Sequence, residues 1–392
     1  MKRLRGFAVA SIVYCVAQTA CAQNSVTLYG IFDQGILAVT NAGGGHVYQS
    51  SGSWLSGSRW GLRGSEDLGG GLKSIFVLES GFDGSSGSLT QGGRFFGRQA
   101  FVGLSGGYGS LTFGRQYDEV VEHLSSQGMT PYMWGGAFAC HPGDVDNVCM
   151  SRRMDNSVKY ASGRIDGFSF GAAYSFGGVP GQFSRGSTWS IGGDYAAGPV
   201  TIGVGYFNVN SPNTQYYNGA VISGTTNSYS NGFSASPVYS GFATANRQQT
   251  LATGINYTLG KSTLGAVYSY TKFGGLGTYN VVNTPALTGS AAVQNFELRY
   301  SGNITPSLVI GIAFNYTTVG SVGDISGARY RQIDLGVNYF LSKRTTLYAV
   351  FAGQSANGEN SLGQPAVAAL AYVTPSKSNR QAAAQIGIRH AF

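Results

Sequence analysis

Nucleophiles, general bases and metal ligands are sparse in this 392-residue chain, and their spacing argues against a catalytic centre. Gly167-Phe168-Ser169-Phe170-Gly171 matches the G-x-S-x-G pattern of serine hydrolases. That chemistry needs a strand-to-helix elbow, whereas here the motif opens an alternating segment that continues through Ala173 and Phe176. The four histidines, His46, His123, His141 and His390, are isolated, and three fall in segments that read as loops. Cys140 and Cys149 stand nine positions apart, with His141 beside the first. Two Cys and one His make an incomplete zinc set. In an oxidising compartment a local disulfide is the natural pairing, with two free thiols as the alternative. No phosphate-cradling glycine loop is present. The reading is a non-enzyme with no cofactor and no metal, so function must come from charge held on a scaffold.

The scaffold shows itself at the C-terminus. In residues 381–392, Ala382, Ala384, Ile386, Ile388, His390 and Phe392 share one parity, and Gln381, Gln385 and Arg389 fall on the other. Period two means a strand with two unlike faces. Residues 249–259, 308–316 and 332–341 repeat it, with rows such as Leu308, Ile310, Ile312, Phe314 and Tyr316 opposite small or hydrophilic residues. Lipid outside and water inside would impose this on every strand of an outer-membrane barrel.

Composition agrees. Charged residues are 11% and aromatics 13%, with 61 glycines. A soluble domain usually carries about 25% charged residues, so this chain is poorly equipped to coat itself for water. A barrel needs few charges and many interfacial aromatics. The net charge of +8 falls to +5 without Lys2, Arg3 and Arg5, and nothing gathers it into a nucleic-acid-binding stripe. Those three residues, the apolar stretch 7–16 and Ala20-Cys21-Ala22 read as a signal peptide over residues 1–22, with a lipoprotein acylated at Cys21 as the minor alternative. Residues 23–392 then form one barrel domain.

Short connections (67–71, 106–109, 164–167, 197–199, 260–261, 303–306 and 342–343) alternate with long Gly/Ser/Asn-rich ones (41–53, 84–93, 118–152, 210–245, 274–291 and 357–379). Short turns on one side and long loops on the other are the outer-membrane pattern. The count is about sixteen strands, with fourteen and eighteen as neighbouring even values. An even count puts both termini on the short-turn side. The fold class is all-β, a transmembrane antiparallel barrel. The 210–245 connection reads as a solvated loop, or as a ligand-binding one.

Ser25-Val26-Thr27-Leu28-Tyr29-Gly30, Ser58-Arg59-Trp60-Gly61-Leu62-Arg63-Gly64, Glu66-Asp67-Leu68-Gly69-Gly70-Gly71-Leu72, Gly97-Arg98-Gln99-Ala100-Phe101-Val102-Gly103-Leu104, Phe113-Gly114-Arg115-Gln116-Tyr117, Asn156-Ser157-Val158-Lys159-Tyr160 and the terminal Phe392 occur in that order. Together they resemble the Gram-negative general porins, particularly the β-proteobacterial branch. The resemblance implies a homotrimer in the bacterial outer membrane, among lipid and lipopolysaccharide, that passes small hydrophilic solutes and ions. It further implies a third long loop, here about 118–152, folded inward as the constriction. Phe392 would be the signal read by the barrel-assembly machinery.

The family's arginine ladder carries over to Arg59, Arg98 and Arg153, with Arg63, Arg94, Arg115 and Arg152 behind them. Arg59 shares a face with Gly61 and Arg63, opposite Trp60 and Leu62, as a lumenal residue should. Arg98 shares its parity with Val102 and Leu104, which conflicts with a lumenal place. Tyr132 stands where enterobacterial relatives carry an acidic residue. Asp118, Glu119, Glu122, Asp144 and Asp146 supply carboxylates elsewhere in the loop. Three arginines with fewer carboxylates would give weak anion preference; Asp144 or Asp146 against the ladder would lessen it. The competing readings are arginines merely paired with wall carboxylates, a substrate-specific channel, or a barrel adhesin.

Overall fold

The computed structural model describes residues 25–125, 134–215, 236–281 and 283–392. The expected signal peptide and Tyr132 lie outside the described residues. The strands are β1 (Ser25–Ala42), β2 (Gly45–Gly52), β3 (Arg59–Gly69), β4 (Leu72–Gly81), β5 (Gln99–Gly106), β6 (Gly109–Gln116), β7 (Met154–Ala161), β8 (Phe168–Ser175) and β9 (Thr188–Ala197). They continue as β10 (Val200–Asn210), β11 (Arg247–Leu259), β12 (Ser262–Leu276), β13 (Gly289–Thr305), β14 (Leu308–Val319), β15 (Ala328–Phe340), β16 (Thr345–Gly358) and β17 (Arg380–Ala391).

β1 pairs with β17, from Ile31 opposite Ala391 to Val39 opposite Ala383, and this closes the sheet into a barrel. On its other edge β1 pairs first with β3 and then with β2. β2 and β3 are therefore one barrel position interrupted by residues 53–58, and seventeen strands fill sixteen positions. Closure leaves no open edge, which is what a lipid environment demands of a sheet.

Residues 41–53 are not the long loop the composition suggested. Gly43 and Gly44, both at positive φ, make a two-residue hairpin turn, and β2 occupies most of the rest. Its residues His46 to Ser51 carry no apolar row, so nothing in their pattern announces a strand.

The two faces separate as the alternation requires. On β15, Ile333, Leu335, Val337 and Tyr339 are exposed outward, while Gln332, Asp334 and Asn338 are buried in the lumen. The terminal Phe392 exchanges backbone hydrogen bonds with Gly30, and its ring occupies the space a side chain at Gly30 would need.

Among the described residues, three segments fold into the lumen. The first is the connection from β6 to β7, which opens with α1 (Glu119–Leu124) capped by Asp118. Its Trp134 is fully buried against Gly311 and Gly336, which face each other across β14 and β15; a Cβ at Gly336 would stand 2.5 Å from the indole. The second is residues 236–245, where Val238, Tyr239 and Phe242 are buried with Val120, Leu124, Val145 and Val148 of the first. That part of the 210–245 connection is packed core rather than solvated loop; residues 216–235 lie outside the described residues. The third is the connection from β16 to β17, whose Ala366, Ala369 and Leu370 are also buried.

Candidate pore constriction

Arg59 opens β3 directly after the 53–58 detour. Its Nη1 donates to the Gly57 carbonyl at 2.9 Å, and its Nε lies 3.5 Å from Glu79 Oε2. The detour is pinned from β1, because the Asp33 carboxylate accepts from the Leu55 and Ser56 N–H groups at 3.1 and 2.8 Å.

Arg98 lies one residue before β5, so strand parity does not govern it. Its backbone N–H donates to the Glu79 carbonyl, and its Nε donates to Glu79 Oε1 at 2.7 Å. This pairing turns it into the lumen despite the shared parity with Val102 and Leu104. Arg153 precedes β7, and its Nη2 donates to the Tyr117 hydroxyl at 2.7 Å while Arg98 Nη2 reaches the same oxygen at 3.2 Å. The Arg153 guanidinium also stands 4.8 Å over the Tyr117 ring. Burial would raise the Tyr117 phenol, but the charges of Arg153 and Arg98 outweigh it and hold the pKa below its ordinary value.

Arg59, Arg98 and Arg153 line one cavity of about 400 Å³, together with residues 52–58, Thr90, Gln91 and the Cys140–Cys149 pair. Those cysteines are disulfide-bonded with Cα atoms 5.8 Å apart. Two of the three guanidiniums, those of Arg59 and Arg98, meet the Glu79 carboxylate, which also accepts from Tyr29 at 3.0 Å. Arg389 of β17 adds a further cation at the edge, donating to Ser56 Oγ at 3.1 Å.

The other expected residues are placed differently. Arg63 is exposed on the same face as Arg59, its guanidinium 5.3 Å from the Tyr29 ring centroid. Arg115 does not join the cluster. It continues the outward row of Leu111 and Phe113 and is paired with Asp155, which Arg94 also holds at 2.6 Å. Arg152 donates to the Asp144 carbonyl and to the Tyr239 hydroxyl at 2.6 and 2.7 Å.

Asp144 and Asp146 do not line the cavity. Asp144 accepts from the Cys149 and Ser151 N–H groups at 2.9 and 3.0 Å. Burial and then the neighbouring Asp146 push its pKa up. Asp146 faces the opposite wall, pairing with His141 at 2.6 Å and accepting from Asn295 at 3.1 Å and from Ser269. Asp144 is thus engaged within the loop and Asp146 by His141 and the opposite wall, and neither is paired with Arg59, Arg98 or Arg153.

Nor is there a hydrolase site at Ser169. Its hydroxyl donates to Asp194 at 2.5 Å, and His123 Nδ1 meets the same Asp194 oxygen at 2.7 Å. The carboxylate sits between serine and imidazole, so the serine has no base, and the motif lies in β8 rather than on an elbow. Among the described residues no group of three His, Cys, Asp or Glu could hold a metal ion.

Glu79, Tyr117 and Trp54 escaped the sequence reading. Glu79 directly follows the apolar run Ile75-Phe76-Val77-Leu78, and that position was its signal. Trp54, in the detour, stacks on Phe138 at 4.3 Å; nothing in its local sequence marks it.

Comparison with known proteins gives a consistent picture. Residues 8–360 match the Gram-negative porin family. The chain is 30% identical to an outer membrane porin of Bordetella pertussis, over 98% of each chain. It is also 30% identical to outer membrane porin protein 32 of Delftia acidovorans, over 98% of this chain and 99% of that one. Among solved structures, the anion-selective porin from Comamonas acidovorans superposes with a TM-score of 0.71 at 25% identity, covering 94% of this chain and all of that one.

Proposed function

The chain belongs to the Gram-negative porin family, and from that premise we propose that Arg59, Arg98 and Arg153 form the eyelet of an outer-membrane diffusion channel that prefers anions. The fold and the family are those of a channel rather than of an enzyme. Passive passage of small hydrophilic solutes follows from a closed barrel with a polar interior.

The observation that carries the anion preference is the charge at the cavity: Arg59, Arg98 and Arg153 line it, no Asp or Glu is among its described lining residues, and the nearby Glu79 and Asp33 carboxylates are engaged by Arg59 and Arg98 and by the Leu55 and Ser56 N–H groups. Fixed positive charge in a narrow, low-dielectric passage raises the local concentration of anions and lowers that of cations. The related Comamonas porin is described as anion-selective, which supports the same reading here. Efflux of small organic anions and cations of matched size from proteoliposomes tests it. Faster anion efflux is expected; equal or faster cation efflux would refute it.

The general-channel reading is favoured over a substrate-specific one because only Trp54 and Tyr372 are aromatic among the described residues that line the cavity. Flux linear in solute concentration is the corresponding expectation. Removal of residues 1–22 on export, a homotrimeric assembly, embedding among lipid and lipopolysaccharide, and insertion by the barrel-assembly machinery reading Phe392 complete the proposal.

A further inference from the structure

A reactive covalent bond lies inside the cationic cavity. Cys140 and Cys149 line it beside Arg59, Arg98 and Arg153, with Cys149 8% exposed and Cys140 2%. At about 400 Å³ the cavity holds more than ten times the roughly 30 Å³ that one water occupies in the liquid, so a two-carbon thiol has room there. The carboxylate near Cys149, that of Asp144, accepts from the Cys149 and Ser151 N–H groups at 2.9 and 3.0 Å. No Asp or Glu is among the described residues that line the cavity, so the disulfide is reached through a field of one sign.

Arg153 supplies the second half of the site. It is only 2% exposed. Its Nη2 donates to the Tyr117 hydroxyl at 2.7 Å, and its Nη1 turns back along the chain to the Ser151 carbonyl at 3.1 Å, two residues from Cys149. Its Nε is buried and has no hydrogen-bond partner among the described residues. A buried donor on a charged group is costly to leave unsatisfied, and an anionic acceptor in the cavity would satisfy it. The two cysteines are also held separately. Cys140 N–H donates to the Ala137 carbonyl at 3.3 Å and Cys149 N–H to Asp144, with the Cα atoms 5.8 Å apart. Opening the bond therefore leaves both sulfurs within reach of each other, and the reaction is reversible.

We propose that the Cys140–Cys149 disulfide is a thiol-exchange site for small anionic thiols entering the eyelet, with Cys149 as the sulfur attacked and Arg153 holding the anionic end of the thiol. The thiolate of the incoming molecule attacks Cys149 Sγ, and the electron pair of the broken S–S bond leaves on Cys140 Sγ, which takes a proton from water. A second thiolate attacks the incoming sulfur of the mixed disulfide and departs with it as the small disulfide. Cys149 leaves as a thiolate and is protonated in turn. Two small thiols are oxidised, and one protein disulfide is reduced to two thiols. The proposal rests on the reading that this cavity belongs to the ion path.

Reduction of the refolded mature protein by 2-mercaptoethanesulfonate and by cysteamine tests it, with new thiols trapped by iodoacetamide and counted by intact-mass spectrometry. Expressed per thiolate, the anionic thiol should react about tenfold faster than the cationic one at low salt. The ratio should fall toward one at about 1 M KCl, where the Debye length is about 3 Å, and in protein unfolded by urea. This comparison needs no variant. Equal rates at low salt, or a folded protein that neither thiol reduces while the unfolded chain is reduced, would overturn the proposal. R153S should lose much of the preference; an unchanged ratio would remove Arg153 from the site. C140S, which cannot close the ring, should keep the sulfonate as a stable mixed disulfide at Cys149, and its zero-current potential should then lean less toward chloride than that of the cysteamine adduct. Equal potentials for the two adducts would place Cys149 outside the ion path and overturn the proposal. A barrel that shows the charge-dependent exchange but no conductance would instead count against the channel reading alone.

Discussion

Arg98 and Glu79 are joined twice, backbone N–H to carbonyl at 3.1 Å and Nε to Oε1 at 2.7 Å. The double link sets the direction of a residue that lies just outside its strand, and it places the Glu79 carboxylate against both Arg98 and Arg59.

Glu79→Gln should therefore increase anion preference while weakening the barrel. The substitution removes the negative charge between Arg59 and Arg98 and leaves two largely desolvated cations without their partner. Breaking such a pair typically costs on the order of 3–5 kcal/mol. Thermal unfolding of the barrel should shift down, and the zero-current potential should move further toward chloride. An unmoved potential would mean that Glu79 does not face the ion path.

Arg59→Ser should reduce anion preference more than Arg98→Ser. The Arg59 side chain is 24% exposed and the Arg98 side chain 9%, so Arg59 presents more of its charge to passing ions. The difference should shrink as KCl rises from 0.1 M to 1 M, where the Debye length falls from about 10 Å to about 3 Å. Selectivity ratios at the two concentrations check this; a salt-independent loss would point to altered pore geometry instead.

Gly336→Leu should dislodge the inward loop. Trp134 occupies the space of any side chain at Gly336 or Gly311, and overpacking of this kind costs about 1–3 kcal/mol or more. Single-channel recordings should show a changed conductance level and added open-channel noise. A recording identical to wild type would mean that Trp134 does not anchor the loop.

Alkaline pH should loosen the same loop through His141. Burial opposes the imidazolium, but Asp146, Glu297 and Asp144 outweigh it and push the pKa up to about 9, from an ordinary 6.5. A raised pKa means stability fully present below about 6.5 and lost as pH rises through about 9. Channel noise and thermal unfolding followed from pH 6 to 10 should show this loss in wild type and a flatter profile in His141→Gln. Equal profiles would assign the transition to other groups.

The barrel was legible because lipid and water impose opposite demands on alternate residues, so rows such as Ile333, Leu335, Val337 and Tyr339 announce themselves. β2 was missed because its residues meet no such selection. Arg59 could be placed by parity. Arg98 could not, since it lies outside its strand and owes its direction to Glu79. The fate of Asp146 depended on partners more than 100 residues away, such as Asn295, and that of Asp144 on a turn back through Cys149 and Ser151 that no local pattern encodes. Residues 236–245 were hidden for the same reason: Val238, Tyr239 and Phe242 become core only because Val145 and Val148 are brought to meet them.

The central claim is tested most directly by the zero-current potential of the refolded protein in a planar bilayer under a KCl gradient, for wild type and for R59S/R98S/R153S. The account predicts a chloride-leaning potential in wild type that moves to neutral or cation-leaning in the variant. A cation-leaning wild type, or a variant with the wild-type potential, would contradict the arginine eyelet.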